Sequence, residues 1–162
     1  MKGNEKPYLE RVKTNIGEDL FIAYCKSKEY KISRIGFDEQ HGFVENFWKL
    51  NSLLRNLPDF FVNTGDYSYV VQVKGTDNFK KKEVDLLPLC LEWYNSKQAP
   101  LVYAFCFEGY DPILRYPDQI IRMYQNSTDQ TFPDGVIYRC LNLRSQKHGD
   151  QNVKQENYSD GL

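Results

Sequence analysis

Hydrophobic residues recur at helical spacing in three segments of the first two thirds of the chain. In residues 16–28 they fall three and four positions apart, a spacing that indicates an amphipathic helix. Residues 47–57 repeat the pattern until Pro58 stops it, because proline cannot continue a helix. Residues 80–96 repeat it again, and Pro88 in their middle predicts a kink or a late start.

Alternating and continuous apolar runs predict the strands. Residues 30–37 alternate in character, which indicates one strand. Residues 59–64 and 67–75, rich in aromatic and β-branched side chains and separated by a turn at Gly65, predict a hairpin. Residues 101–107 are apolar throughout, the pattern of a strand covered on both faces.

The last third of the chain ends in a polar segment. Residues 113–125 predict a helix broken at Pro117, and residues 136–143 predict a last strand. From residue 144 onward almost every side chain is polar, too little apolar surface to fold alone. We therefore expect one domain over residues 1–143 and a flexible tail over 144–162.

Composition agrees with a globular α/β domain. The chain has 162 residues, of which 41% are hydrophobic and 27% charged, enough for one core. The 21 Lys and Arg nearly balance the 22 Asp and Glu, which removes a basic isoelectric point as an argument for nucleic-acid binding. The positive excess lies in the first half, up to Glu83, and we expect an anion to bind there.

Cysteine usage and hydropathy indicate a cytoplasmic protein. The cysteines are far apart and three lie in apolar runs, so we expect buried thiols in a reducing compartment; they are Cys25, Cys90, Cys106 and Cys140. Neither His41 nor His148 is near a cysteine in sequence, which argues against structural zinc. The first thirteen residues have no apolar segment and no apolar run is long enough to span a membrane, so we expect neither export nor membrane insertion.

The chemistry concentrates in the predicted hairpin. Alternation along residues 67–74 places Gln72 and Lys74 on the same face of the second strand. An unpaired lysine in an apolar strand is costly, so we expect it to pair with Asp59 on the neighbouring strand. A carboxylate, an amide oxygen and an ammonium at one sheet edge suit a hard cation and an anionic substrate oxygen.

These residues resemble the motif of the PD-(D/E)xK nuclease superfamily. Asp59 follows Pro58, and thirteen residues later the chain reads Gln72-Val73-Lys74; Glu18 on the first helix matches the family's helix glutamate. The segment GEDLFIAYCKSKEYKI resembles the first helix and strand of Holliday-junction-resolvase-like members. The resemblance covers residues 17–107 and implies a restriction-endonuclease-like αβββαβ core, a mixed central sheet flanked by helices, with the helix at 47–57 inserted.

Gln72 departs from the pattern, because the family usually has Asp or Glu there. An amide oxygen ligates Mg²⁺ more weakly than a carboxylate, which favours one metal over two. Q-x-K versions of the motif exist in Mrr-type restriction endonucleases. The dipeptide alone is unspecific: Pro117-Asp118 and Pro133-Asp134 also occur, and turns explain them.

The resemblance implies a divalent-metal-dependent nuclease. Mg²⁺ or Mn²⁺ would be held by Glu18, Asp59, Gln72 and the Val73 carbonyl, and Lys74 would orient the attacking water or stabilise developing charge. The implied products carry 5′-phosphates. The resemblance favours DNA over RNA, slightly favours branched DNA, and admits a homodimer.

Several alternatives stay open at this stage. The lysine run could contact nucleic-acid phosphates or be a solvated helix start; it comprises Lys80, Lys81 and Lys82. An acidic loop could be a second metal site, or could bring His41 towards the first, but is more simply a solvated loop; it comprises Asp38, Glu39, His41 and Glu45.

The candidate site residues have structural interpretations too. Glu18 stands at capping-box spacing from Asn15, and Gln72 could be an ordinary strand amide. Asp59 and Lys74 could form only an ion pair. The protein could thus be a purely structural α/β domain, or a non-catalytic module whose tyrosines stack on bases or whose surface binds protein.

Overall fold

A computed structural model describes residues 16–35, 57–94 and 99–145, and within residues 88–94 it describes the backbone alone. The acidic loop, residues 146–162 and all but the last residue of the predicted helix at 47–57 lie outside these ranges. Within the described ranges no helix is long and apolar enough to cross a bilayer.

The described elements follow one another in a mixed α/β order. They are α1 (Gly17–Ser27), β1 (Lys31–Arg34), β2 (Phe60–Asn63), β3 (Ser68–Lys74), β4 (Asn78–Lys80), α2 (Lys81–Tyr94), β5 (Leu101–Phe105), β6 (Ile113–Arg115), α3 (Pro117–Gln125), β7 (Asp129–Thr131), β8 (Ile137–Cys140) and a 3₁₀ helix (Leu143–Ser145).

The main sheet has five strands in the order β1-β2-β3-β5-β6. The first three strands are antiparallel, β3 and β5 are parallel, and β6 returns antiparallel to β5. A parallel pair needs a long crossover, which here contains β4 and α2. The predicted mixed α/β class and its αβββαβ element order are confirmed, with β4 added before α2.

Helix α1 covers one face of this sheet. Its buried residues recur every four positions, at Gly17, Phe21 and Cys25. Phe21 and Cys25 share a core cluster with Cys106, which follows β5, and with inward-facing strand residues, which are Phe60, Val62, Val71, Val73 and Ala104. We call this side the α1 face.

The opposite face is covered by the second half of the chain. There Leu87 of α2 and Ile120 of α3 pack on the aromatic side chains of β4 and β5, in a cluster that contains Phe79, Phe105, Phe107, Leu141 and Leu143. We call this side the α2 face. The sheet is therefore a middle layer with helices on both sides, as predicted.

The start of α1 differs from the prediction. Ile16 is the N-cap and makes no side-chain cap hydrogen bond, so Glu18 is the second helical residue rather than the third. The predicted capping box between Asn15 and Glu18 is therefore wrong. Its spacing fails because the helix begins one residue later than an Asn15 cap requires.

Two proline-based expectations also change. Residues 113–125 are not one broken helix: residues 113–115 form β6, and α3 starts at Pro117. Proline fits the first helical position, and Tyr116 before it is extended, as residues preceding proline tend to be. The predicted late start of α2 is wrong, because the helix begins at Lys81 and continues through Pro88.

The last predicted strand belongs to a second sheet. Strand β8 pairs with β4 and β7 in the order β4-β8-β7, and the chain then turns into the 3₁₀ helix. Buried Asp77 joins the two ends: its carboxylate accepts a hydrogen bond from Leu143 N (3.0 Å) and its carbonyl one from Leu141 N (3.0 Å). The strand expected over residues 136–143 is thus shorter, because residues 141–143 bind Asp77 instead of continuing the ladder.

Candidate functional site

Asp59 is fixed at the point where β2 begins. Its N–H donates to the Val71 carbonyl (3.0 Å), and its carbonyl accepts from Ile35 N (2.9 Å). The carboxylate Oδ2 accepts two further hydrogen bonds, from Gln72 Nε2 (2.8 Å) and from Val73 N (2.7 Å). The structure therefore brings three of the predicted site residues into direct contact.

Strand register explains this arrangement. Phe60 lies opposite Val71, so antiparallel pairing places Asp59 opposite Gln72. Strand β2 begins only at Phe60, so the Val73 N–H, which points toward the chain before β2, donates to the Asp59 carboxylate instead of to a backbone carbonyl. An aspartate just before the strand thus extends the ladder by one bond.

Lys74 lies on the α2 face at the end of β3. Its Nζ donates to Glu83 Oε1 of α2 (2.7 Å) and lies 4.3 Å from the centroid of the Phe79 ring. We expected Asp59 to be the partner of Lys74. Glu83 takes this role because Lys74 extends past the start of β2 and meets the first turn of α2.

Glu83 is the site residue that sequence reasoning missed. Its second oxygen, Oε2, accepts a hydrogen bond from the Lys80 N–H (2.8 Å), the last backbone donor before α2. A signal was present, because a glutamate three residues after a helix-capping position is the capping-box spacing. That pattern predicts the bond to Lys80 but not the ion pair with Lys74.

Glu18 points to a different partner. Its Oε2 accepts a hydrogen bond from Arg34 Nη1 over 2.8 Å, and the Arg34 guanidinium lies 4.8 Å from the centroid of the Phe60 ring. Phe60 belongs to the α1 face, whereas Lys74 belongs to the α2 face. Contact of Glu18 with Asp59 and Gln72 on a shared ion therefore stays a prediction.

The lysine run starts beside the Glu83–Lys74 pair. The Lys80 backbone bonds Glu83, and Lys81 and Lys82 are exposed at the start of α2. Lys81 pairs with Asp85 over 2.8 Å, and this hydrogen bond raises the pKa of Lys81. These positive charges lie in the first turn of α2, which also carries Glu83.

The donor chemistry fits one hard cation. Among the residues that the structure describes, no group of three or more His, Cys, Asp and Glu side chains could hold a metal, so the ligands would be mixed. Asp59 supplies a carboxylate, and a half-turn of the Gln72 amide would present its oxygen beside it. The Val71 carbonyl points toward β2, and backbone groups alternate in direction along a strand. The Val73 carbonyl, two residues later, therefore points toward β2 as well.

A small cleft opens at the same end of the sheet. It has a volume of about 190 Å³, and its lining includes Gly17 and Gly75, the neighbours of Glu18 and Lys74. Arg144 also lines it and lies 4.8 Å from the centroid of the Phe107 ring. Glu108 lines the cleft as well, so the cleft carries one cation and one anion beside the candidate site.

The buried thiols play no nucleophilic part. Burial raises the pKa of Cys25 to about 11 and that of Cys106 to about 12. A thiol with such a pKa is protonated and unreactive at neutral pH. Cys25 and Cys106 are buried as predicted, whereas Cys140 is half-buried, and the side chain of Cys90 lies outside the described residues.

Comparison with known proteins finds a similar solved structure but no sequence relative. No family model matches the chain, and no curated protein matches it. The chain is similar to the solved structure of Archaeoglobus fulgidus Hjc, a Holliday junction resolvase from an archaeal hyperthermophile. The identity is 10% and the TM-score 0.41, over 75% of this chain and 84% of that chain.

Proposed function

We propose that this protein is a divalent-metal-dependent nuclease that hydrolyses phosphodiester bonds in DNA. The observation that carries the proposal is the double hydrogen bond from Gln72 and Val73 to the Asp59 carboxylate. These two bonds hold the Asp59 carboxylate, the Gln72 amide and the Val73 backbone together at one end of β3. Lys74 lies two residues after Gln72, on the same face of β3.

Asp59, Gln72 and the Val73 carbonyl would hold Mg²⁺ or Mn²⁺. Glu18 would join them after leaving Arg34, with which it forms a half-exposed ion pair. When bound, such an ion supplies a more acidic water and offsets negative charge on the phosphate. The amide at position 72 adds no charge, which favours a single ion.

The protein's own residues position the reactants. The Asp59 carboxylate is held by the Val73 backbone and cannot swing away without breaking that bond. Lys74 presents an ammonium that orients the attacking water or stabilises the charge that develops on the phosphate. The exposed side chains of Lys81 and Lys82, together with Lys80, would hold flanking phosphates.

Cleavage assays test the proposal directly. The purified chain is incubated with Mg²⁺ or Mn²⁺ and single-stranded, duplex or four-way-junction DNA, and product ends are tested for 5′-phosphate. Lys74→Ala should lower the cleavage rate by about a hundredfold or more. Lys28→Ala is the matched control, because Lys28 also lies over an aromatic ring, that of Tyr24, but remote from the motif. Equal rates for wild type and Lys74→Ala would rule out the role given to this lysine.

The preference for junctions is a finer part of the same proposal. A four-way junction carries two strands to be cut in related positions, which a symmetric dimer would match. Faster cleavage of the junction than of its duplex arms, together with a dimer in sedimentation, would support it. Equal rates on both substrates would restrict the proposal to a general nuclease.

A non-catalytic nucleic-acid-binding module is the second candidate. One observation favours it: the acids already have protein partners, Arg34 for Glu18 and the Gln72 amide for Asp59. Such a module would bind DNA equally well with EDTA and with Mn²⁺, and would not cleave it. Calorimetry with Mn²⁺ separates the two, because the nuclease requires metal binding that Asp59→Asn removes.

A further inference from the structure

Glu83 connects the start of α2 to the candidate catalytic lysine. One carboxylate oxygen, Oε1, accepts from Lys74 Nζ over 2.7 Å, and the other, Oε2, accepts from the Lys80 N–H over 2.8 Å. We infer that Glu83 is a positioning residue of the hydrolytic site, which holds the Lys74 ammonium in its working place. This inference rests on the proposed nuclease function.

The Lys80 bond makes Glu83 a rigid support. Backbone N–H groups at a helix start have no partner within the helix, so a carboxylate that binds one becomes part of the helix end. Glu83 is the third residue of α2, where this bond orients its side chain. The hydrogen bond to the backbone at the start of α2 therefore fixes the position of the carboxylate oxygen that faces Lys74.

Lys74 is restrained from a second side by Phe79. The ring lies 4.3 Å from Nζ and is itself 1% exposed, packed against Phe105 and Tyr103 at centroid distances of 5.9 Å. The Lys74 side chain is 14% exposed, so few other orientations are open to it. A lysine normally samples many rotamers, and this pair of contacts selects one.

The charge balance explains why the support comes from a helix. Gln72 is neutral, so β3 itself offers Lys74 no carboxylate on the shared face. An ammonium this buried without an acidic partner would be strongly destabilising. Glu83 supplies the missing negative charge through its contact with Lys74, and we therefore expect it to act through the lysine.

Steady-state kinetics with Glu83→Gln test the inference. We expect kcat for Mn²⁺-dependent DNA cleavage to fall about tenfold or more, because the ammonium is misplaced, and KM to stay within about twofold. Asp118→Asn is the matched control: it too removes an acid from the first turn of a helix and breaks an ion pair, with Arg122. It should leave both constants unchanged.

A double variant distinguishes a positioning role of Glu83 from an effect on the stability of α2. In Lys74→Ala protein, Glu83→Gln should cause no further loss of kcat if it acts through the lysine. A merely structural defect at the start of α2 would lower the residual rate as well. That lower rate would overturn the inference.

Lysine ammonium NMR of the wild type needs no Glu83 variant and so does not depend on its folding. We expect the Lys74 ammonium to give a rigid, slowly exchanging signal, identified by its loss in Lys74→Ala, and Lys82 to give none. A Lys74 ammonium as mobile as that of Lys82 would overturn the inference. A wild-type kcat in folded Glu83→Gln would also overturn the inference, but it would leave the nuclease proposal intact. A wild-type protein that cuts no DNA would instead remove the proposed function, and this inference with it.

Discussion

Gln72 and Asp59 face each other across two antiparallel strands, and the Gln72 amide donates a 2.8 Å hydrogen bond to the Asp59 carboxylate. A neutral amide can make this contact without a cation, whereas a carboxylate at position 72 would face a second negative charge. The amide thus lets the strand ends close in metal-free protein. Substitution of Gln72 measures how this hydrogen bond affects the stability of the protein and its response to metal.

Gln72→Glu should make the protein depend on metal for stability. With EDTA we expect the free energy of unfolding to fall by about 1 to 3 kcal/mol, because the hydrogen bond is lost and two carboxylates are brought together. Mn²⁺ should restore more stability than it adds to wild type. Urea unfolding with and without Mn²⁺ measures both effects.

The control for that experiment is Gln130→Glu, whose side chain accepts a hydrogen bond from Tyr138 on the exposed second sheet. It makes the same charge change away from the site and should show no added response to Mn²⁺. If Gln72→Glu were as stable as wild type in EDTA, the 2.8 Å contact would contribute nothing to folding.

Asp59→Asn should abolish Mn²⁺ binding. The substitution removes the charge that would hold the ion and weakens the bonds from Gln72 and Val73, at a cost of about 1 to 3 kcal/mol in stability. Titration calorimetry on the folded variant measures the binding. Asp66→Asn, in the exposed hairpin turn, is the control and should bind as wild type does. An unchanged binding heat in Asp59→Asn would exclude Asp59 as a ligand.

Arg34→Met should strengthen Mn²⁺ binding by roughly three- to tenfold. Arg34 holds the Glu18 carboxylate at 2.8 Å, and removing this cation releases Glu18 for the metal. Methionine keeps an apolar contact with the Phe60 ring. Arg122→Met breaks an exposed ion pair with Asp118 and serves as the control. Weaker or equal binding in Arg34→Met would indicate that Glu18 takes no part in the metal site.

Stability should fall in alkaline solution because of the buried thiols. Burial raises the pKa of Cys25 from 9.0 to about 11 and that of Cys106 from 9.0 to about 12. The folded state then holds its protons more tightly than the unfolded state, so this stabilisation is complete below pH 9 and is lost as the pH rises through the folded values.

Urea midpoints measured from pH 8 to pH 11 test this dependence. Cys106→Ala should be less stable than wild type at pH 8, because it leaves a cavity, but should lose less stability on going to pH 11. Parallel curves for the two proteins would mean that other groups cause the alkaline loss.

The elements that the sequence predicts well are those with a repeating pattern. The hairpin of β2 and β3 has alternating apolar residues on both sides of a glycine turn, so its register follows from the turn. That register is also why the contact of Asp59 with Gln72 could be anticipated. Strands β4, β6 and β7 have three residues each, too few to display a period of two.

Contacts between distant segments are what the sequence does not predict. The pairing of Lys74 with Glu83 depends on where β2 and α2 start, to within a residue. Arg34, which holds Glu18, lies in an alternating strand and carries no local signal. The predicted helix over residues 113–125 is wrong only before Pro117, because apolar spacing alone does not tell a strand followed by a proline from a broken helix.

The pairing of β4 with β8 has a consequence for biosynthesis. Strand β4 carries Phe79, which supports Lys74, and its partner β8 is completed only at Cys140. A chain emerging from the ribosome therefore exposes the whole Asp59-to-Lys74 motif long before the segment that frames it has been made. Under the proposed nuclease function, cleavage would require the chain to be complete through β8, so an unfinished chain carries the motif without its support.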